Sequence, residues 1–153
     1  NRMSYLKWHH AILKYFSSRS DYNFIWKAAL QSIYKYDTME NIIQDQNIIN
    51  VNFNYESLLK WIPKVDKVVC DVPSTAFFES CFAEVPVLGL YRPDEQQVRP
   101  DAINNYGSSL KPYSNIEEGI NLIEEFLDGE SESYKLNFKN NIVSVPQIIF
   151  TNK

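Results

Sequence analysis

Residues 67–91, KVVCDVPSTAFFESCFAEVPVLGLY, constrain the chain more than any other stretch. Val68, Val69 and Cys70 form a short apolar run, the pattern of a strand buried on both faces. Asp71 to Pro73 turn the chain, and Ser74 or Thr75 can cap a helix that carries Ala76, Phe77, Phe78, Cys81, Phe82 and Ala83. Pro86 ends that helix, and Val87 to Leu90 read as a second buried strand. A strand, a helix and a strand in this order imply a crossover and parallel pairing. In a parallel sheet the turn after a strand lies at the ligand edge, and a helix beginning there offers free N–H groups and a partial positive charge. Hydroxyls at that position suit a phosphate. Glu79, one turn and a bit further in, could face back toward a ribose. The same pattern equally describes a well-capped helix in an ordinary α/β sheet.

The chain before this stretch alternates in the same way. Tyr5, Trp8, Ile12 and Phe16 recur at helical spacing, so residues 4–17 form an amphipathic helix. His9 and His10 on it point about 100° apart, which prevents them from sharing a ligand easily. Residues 22–26 read as a strand that ends at Lys27. A lysine there is either a solvated strand end or a cation placed to meet an anion. Residues 28–36 are ambiguous between a loop and a short helix. A short helix begins at Asp37 or Thr38, and a β-branched run predicts a strand at 48–52. Asn54 can cap a helix over 55–62. This alternation predicts an α/β domain with a mostly parallel sheet covered on both faces.

After Leu90 comes a polar loop to Asp101, longer than the usual ~2–6 residues of a strand–helix link. Residues 102–106 form at most a helical turn, and 109–112 an edge strand that Pro112 closes. Ser114-Asn-Ile-Glu117 matches a capping box and opens a helix closed by Gly129. A last helix is expected over 132–141. The expected division is one domain over 1–141 and a C-terminal tail over 142–153, with no partner evident for the tail.

Much chemistry is excluded by composition. A formal net charge of −4 argues against binding a nucleic-acid polymer, which needs a basic face. It leaves room for a nucleotide, which needs only one local positive spot. No apolar run approaches the ~18 residues of a membrane span. Two histidines, adjacent, and two cysteines, Cys70 and Cys81, in apolar surroundings make no metal set, so neither metal nor cofactor is expected. The cysteines read as buried thiols of a reducing, cytoplasmic compartment. Four glycines, spread as Gly89, Gly107, Gly119 and Gly129, cannot write a dinucleotide or Walker phosphate loop. There is no nucleophile elbow and no zinc-protease motif. What remains is a site built from strand ends: Ser74 and Thr75 for a phosphate, Lys27 for added charge, Glu79 for ribose hydroxyls.

The run from Asp66 to Leu88, with Asp71, Ser74, Thr75, Glu79, Pro86 and Val87 at their spacing, resembles the donor-binding motif of GT-B-fold glycosyltransferases. It is similar to the C-terminal halves of bacterial surface-polysaccharide transferases and of CDP-glycerol glycerophosphotransferases, and to the related UDP-sugar 2-epimerases. The resemblance spans residues 4–128 loosely and the motif itself only about a quarter of that. It implies a Rossmann-like three-layer domain, half of a GT-B fold. It implies a CDP- or UDP-linked donor, with Pro73, Ser74 and Thr75 at its diphosphate, Glu79 at its ribose, Lys27 near the phosphates, Phe53 to Tyr55 near the base, and Tyr91 and Arg92 toward its sugar or polyol. The implied reaction moves a glycosyl or polyol-phosphate group to a glycan or lipid-linked acceptor of the cell surface, at the inner face of the membrane. An acceptor domain and a strand before the first helix would have to precede Asn1, so the fragment is expected to bind donor without turning it over. Departures from the pattern are Ala28 after the lysine, and Pro73-Ser74-Thr75 where the epimerases carry two glycines. The rivals are an epimerase-like domain and a non-catalytic α/β module that binds a protein partner, which the aromatic surplus fits as well.

Overall fold

The computed structural model describes residues 2–27, 38–136 and 150–151. The chain divides into two compact units, residues 1–60 and 61–153. Both are mixed α/β, with parallel strands flanked by helices, consistent with a Rossmann-like fold. The parallel strands form two hydrogen-bonded sets, one in each unit.

In the first unit, helix α1 (Arg2–Ser18) buries Trp8, Ile12, Leu13 and Phe16; Tyr5, which the spacing puts on the same face, is 48% exposed. Phe16 lies flat on Phe24, with ring centroids 4.0 Å apart. Phe24 opens strand β1 (Phe24–Lys27), which pairs in parallel with β2 (Val51–Asn54). Between them runs α2 (Thr38–Asp45). The ambiguous residues 28–36 lie outside the described residues.

Strand β2 begins three residues later than the β-branched run predicts. The reason is the way α2 ends. Asn47 adopts a left-handed backbone, φ 50°, while Asn47 N–H donates to Gln44 O and Ile48 N–H to Ile43 O, both at 3.1 Å. This is the Schellman closure of a helix. It takes residues 46–48 into the helix end and leaves Ile49 85% exposed. Asn50 is buried instead, and its Nδ2 donates to the carbonyls of Phe16 at 2.8 Å and Arg19 at 2.9 Å. It thereby closes the carboxyl end of α1.

The helix expected over 55–62 is replaced by two 3₁₀ turns, Leu58–Lys60 and Ile62–Lys64. Asn54 Oδ1 accepts from Glu56 N–H at 2.7 Å, a local turn and not a helix cap. Pro63 also disfavours the α conformation at Ile62 and brings no N–H.

In the second unit the parallel order is β3 (Val68–Cys70), β4 (Val87–Tyr91), β6 (Leu110–Pro112), with β4 central and wholly buried. Helix α3 (Thr75–Phe82) makes the β3-to-β4 crossover, and α4 (Pro100–Tyr106) packs on the same face. Val87 and Tyr91 meet Cys70, Phe77, Cys81, Ala102, Tyr106 and Leu110 there. Strand alternation sends Leu88 and Leu90 to the opposite face, where α5 (Ile116–Asp128) buries Ile123, Phe126 and Leu127.

Gly89 sets the depth of the α3 contact. A Cβ at this position would lie 2.7 Å and 2.8 Å from two atoms of the Phe77 ring. The ring occupies the space that any other residue would fill.

Several helix ends differ from the sequence expectation. Helix α3 ends at Phe82, ahead of Pro86, because Glu84 turns left-handed (φ 57°) and Val85 N–H donates back to Ser80 O at 3.2 Å. Helix α4 begins at Pro100, whose missing N–H costs nothing in a first turn. At α5 the capping residue is Asn115, not Ser114: its Oδ1 accepts from Glu118 N–H at 2.9 Å, and Glu118 reaches back to Ser114 N–H at 2.7 Å. Residues 131–134 form a 3₁₀ turn, and 137–141 of the expected last helix lie outside the described residues. A strand β7 (Phe150–Thr151) in the tail pairs antiparallel with β5 (Gln97–Val98), a partner the sequence did not suggest.

The last turn of α5 has no basic residue of its own. Lys67, just before β3, supplies one. Its Nζ donates to the carbonyls of Phe126 (2.8 Å), Leu127 (2.7 Å) and Gly129 (3.1 Å). A positive charge at a helix carboxyl end also meets the negative pole of the helix dipole.

Two stability predictions follow from these contacts. Gly89→Ala will lower stability by about 1–3 kcal/mol through overpacking against Phe77, read as a lower urea midpoint; an unchanged midpoint would mean that the ring moves freely. Lys67→Met will cost about 2 kcal/mol, so amide exchange in the last turn of α5 should quicken by roughly thirtyfold. Equal exchange rates in the two proteins would refute the role given to Lys67.

Candidate functional site

Strand β3 delivers the chain to its carboxyl end at Cys70, and the next four residues turn it into α3. Pro73 is buried and anchors the turn, while Ser74 and Thr75 are exposed. Ser74 occupies the N-cap with extended backbone (φ −128°, ψ −168°), but its hydroxyl makes no capping bond. Its carbonyl accepts from Phe77 N–H at 3.0 Å and Phe78 N–H at 3.3 Å. The N–H groups of Thr75 and Ala76 therefore have no acceptor within the helix. Two N–H donors and the positive pole of α3 thus stand at one place, with the exposed Ser74 and Thr75 beside them. Glu79 stands four residues after Thr75, hence on the same side of α3 and one turn deeper, and is half-buried.

The neighbouring strand end is differently built. At the corner after β4, Arg92 donates through Nη2 to Asp94 at 2.6 Å and through Nη1 to Glu95 at 2.8 Å. Its carbonyl accepts from the N–H groups of Glu95 at 3.0 Å and Gln96 at 2.8 Å. Arg92, which the resemblance directs toward the donor, is held within its own loop. Tyr113, after β6, donates its N–H to Tyr91 O at 3.0 Å and is buried. Burial pushes its phenol up to about 12; Arg92 opposes the shift, and Asp71, Asp94 and Glu95 add to it. These groups therefore stand close together at the carboxyl edge of the β3–β4–β6 sheet.

Lys27 and Phe53 belong to the first unit. Lys27 ends β1, and its Nζ donates to the carbonyl of Glu56. Burial lowers its pKa, against the charge of Glu56, which raises it. Phe53 meets Tyr55 edge-on at 5.0 Å, and Tyr55 donates its hydroxyl to Glu40 at 2.8 Å. The seven residues singled out from sequence thus fall into two sets. The second unit brings Pro73, Ser74 and Thr75 together on one turn, with Glu79 a turn further into α3, and places Arg92 at the adjacent strand end.

Other candidates are structural. Cys70 and Cys81 are free and buried, and burial raises both thiols, Cys81 to about 12, far from a reactive thiolate. His9 packs between Tyr5 (4.0 Å) and Trp26 (5.4 Å). Among the described residues no group of three or more His, Cys, Asp or Glu is arranged to hold a metal, and no helix is long and apolar enough to cross a membrane. A hollow of about 360 Å³ lies along the exposed face of α5, lined by Asn115, Glu117, Glu118, Asn121, Leu122 and Glu125; it does not reach Ser74, Thr75 or Glu79. Sequence reasoning missed Tyr113, and it took Asp71 as part of the turn and of the motif without giving it a place beside Arg92. Their signal was positional, since both stand directly after a strand whose partner ends beside it.

The chain matches no family model, no curated protein and no solved structure.

An N-cap serine normally contributes about 1 kcal/mol. Because the Ser74 hydroxyl makes no cap bond, Ser74→Ala should change stability by less than ~0.5 kcal/mol. A loss near the usual value in thermal denaturation would show that the hydroxyl caps the helix in solution after all.

Proposed function

We propose that this chain binds a nucleotide-activated donor, as the donor domain of a GT-B-type glycosyltransferase that moves a glycosyl or polyol-phosphate group to a surface glycan. The observation that carries the reading is the turn between β3 and α3. It offers the N–H groups of Thr75 and Ala76 and the uncommitted hydroxyl of Ser74 at the carboxyl edge of a parallel sheet. The residue pattern that resembles the glycosyltransferase motif is the same turn. In this reading the diphosphate sits against the start of α3, and Glu79 accepts from ribose hydroxyls. The chain's share of catalysis is electrostatic: the positive pole of α3 and its N–H groups stabilise the departing nucleotide diphosphate.

Thermal denaturation with CDP, UDP, GDP and ADP tests the reading. One of the four, at ~100 times its Kd, should add about 2.7 kcal/mol of stability, and Glu79→Ala should abolish most of the added stability while leaving the unliganded protein folded. A melting temperature indifferent to all four nucleotides would sink the proposal.

A further inference from the structure

We infer that the Asp128–Gly129 link, at the carboxyl end of α5, is the site at which this chain turns to isoaspartate, and that Lys67 holds the change in check. The inference is independent of the donor reading.

The chemistry needs only these two residues and water. The Gly129 nitrogen attacks Cγ of the Asp128 carboxyl group in its acid form. The N–Cγ bond forms, and the carboxyl hydroxyl leaves with the amide proton as one water. The five-membered imide then takes the water back at either carbonyl. Opening at Cγ restores aspartate. Opening at the main-chain carbonyl carries the backbone through Cβ and Cγ and leaves the former main-chain carboxyl as the side group. Nothing is oxidised or reduced. A glycine nitrogen attacks most readily, because no Cβ crowds it and its backbone turns freely. The chain's four glycines follow Leu88, Tyr106, Glu118 and Asp128, so one position alone joins aspartate or asparagine to glycine.

The fold requires the glycine of that pair. Gly129 N–H donates to Glu125 O at 2.8 Å, the bond that closes α5. A Cβ on residue 129 would lie 2.5 Å from that same oxygen. Asp128 and Gly129 are both exposed, so water reaches them. In the folded chain the imide cannot form. Asp128 is still helical, and its backbone aims the Gly129 nitrogen at Glu125 O and not at its own Cγ. The last turn must open first. Lys67 opposes that opening. Its Nζ holds the carbonyls of Phe126 and Leu127 before the link, at 2.8 Å and 2.7 Å, and that of Gly129 after it, at 3.1 Å. The rate of isomerisation therefore follows the fraction of time that this turn is open. The product has one more main-chain carbon between the two residues, so Gly129 leaves both Glu125 O and Lys67 Nζ and the turn cannot close as before.

Incubation of the full chain at neutral pH and physiological temperature tests this, with isoaspartate at residue 128 measured by mass spectrometry with electron-transfer fragmentation. A peptide of residues 124–132 supplies the unprotected rate. The unaltered chain should isomerise more than about threefold more slowly than the peptide. Lys67→Met should speed the change by more than about threefold, up to the roughly thirtyfold expected for amide exchange of the same turn. A chain that isomerises within about threefold of the peptide overturns the inference, and so does a Lys67→Met rate within about threefold of the unaltered one. Isoaspartate that accumulates first at another residue, or at residue 128 in neither protein, overturns it as well. Circular dichroism checks that Lys67→Met stays folded. If it does not, Lys67→Gln, whose side chain is too short to hold all three carbonyls, is judged by the same rates.

Discussion

The contact between the Phe77 ring and Gly89 governs the second unit. Because β4 has no side chain at its midpoint on that face, α3 lies close against the sheet, and the ring fills the gap. The depth of that contact fixes where α3 begins relative to the end of β3. With only four residues between strand and helix, the turn has little freedom left. Pro73 removes more of it by burying its ring. The free N–H groups of Thr75 and Ala76 are thus held at the sheet edge by packing within the same first turn of the helix, and the Ser74 hydroxyl beside them makes no cap bond.

The helix-strand alternation was legible because hydrophobic periodicity is local. The apolar runs at Val68–Cys70 and Val87–Tyr91, the α1 face from Trp8 to Phe16 and the α5 face from Ile123 to Leu127 each carry their own signal. Boundaries set by hydrogen bonds at helix ends were less legible. Asn47 and Glu84 take left-handed backbones that favour glycine, and neither residue announces this in the sequence. Ile48 and Ile49 look like a strand and are not, because the closure of α2 claims the residues before them. The break of residues 55–62 into two 3₁₀ turns could have been read from Pro63, but the aliphatic spacing outweighed it.

The candidate site was legible in the turn before α3 and not in its surroundings. Ser74, Thr75 and Glu79 are close in sequence, so one helix brings them together. The resemblance directs Arg92 toward the donor, and nothing in the sequence marks Asp94 and Glu95, ordinary loop residues, as its partners. Only the folded corner shows that both carboxylates hold the one guanidinium. Tyr113 and Asp71 join that corner through pairing across β3, β4 and β6, and no local pattern encodes such a meeting. Lys67, inside the most telling stretch of sequence, serves the far end of α5 and has no part in the turn.

Asn50 and Lys67 occupy the same position in their respective units. Each stands immediately before a parallel strand, and each donates to the open carbonyls at the end of a helix. In each unit one strand start is therefore tied by side-chain hydrogen bonds to the end of a helix. The opposite rim of the second unit keeps spare donors and short, exposed turns. Mutational freedom is divided accordingly. Substitutions at Asn50 or Lys67 would cost stability, whereas the exposed turn before α3 could accept new side chains without disturbing the frame. A scaffold of this kind can change what it recognises while keeping how it folds.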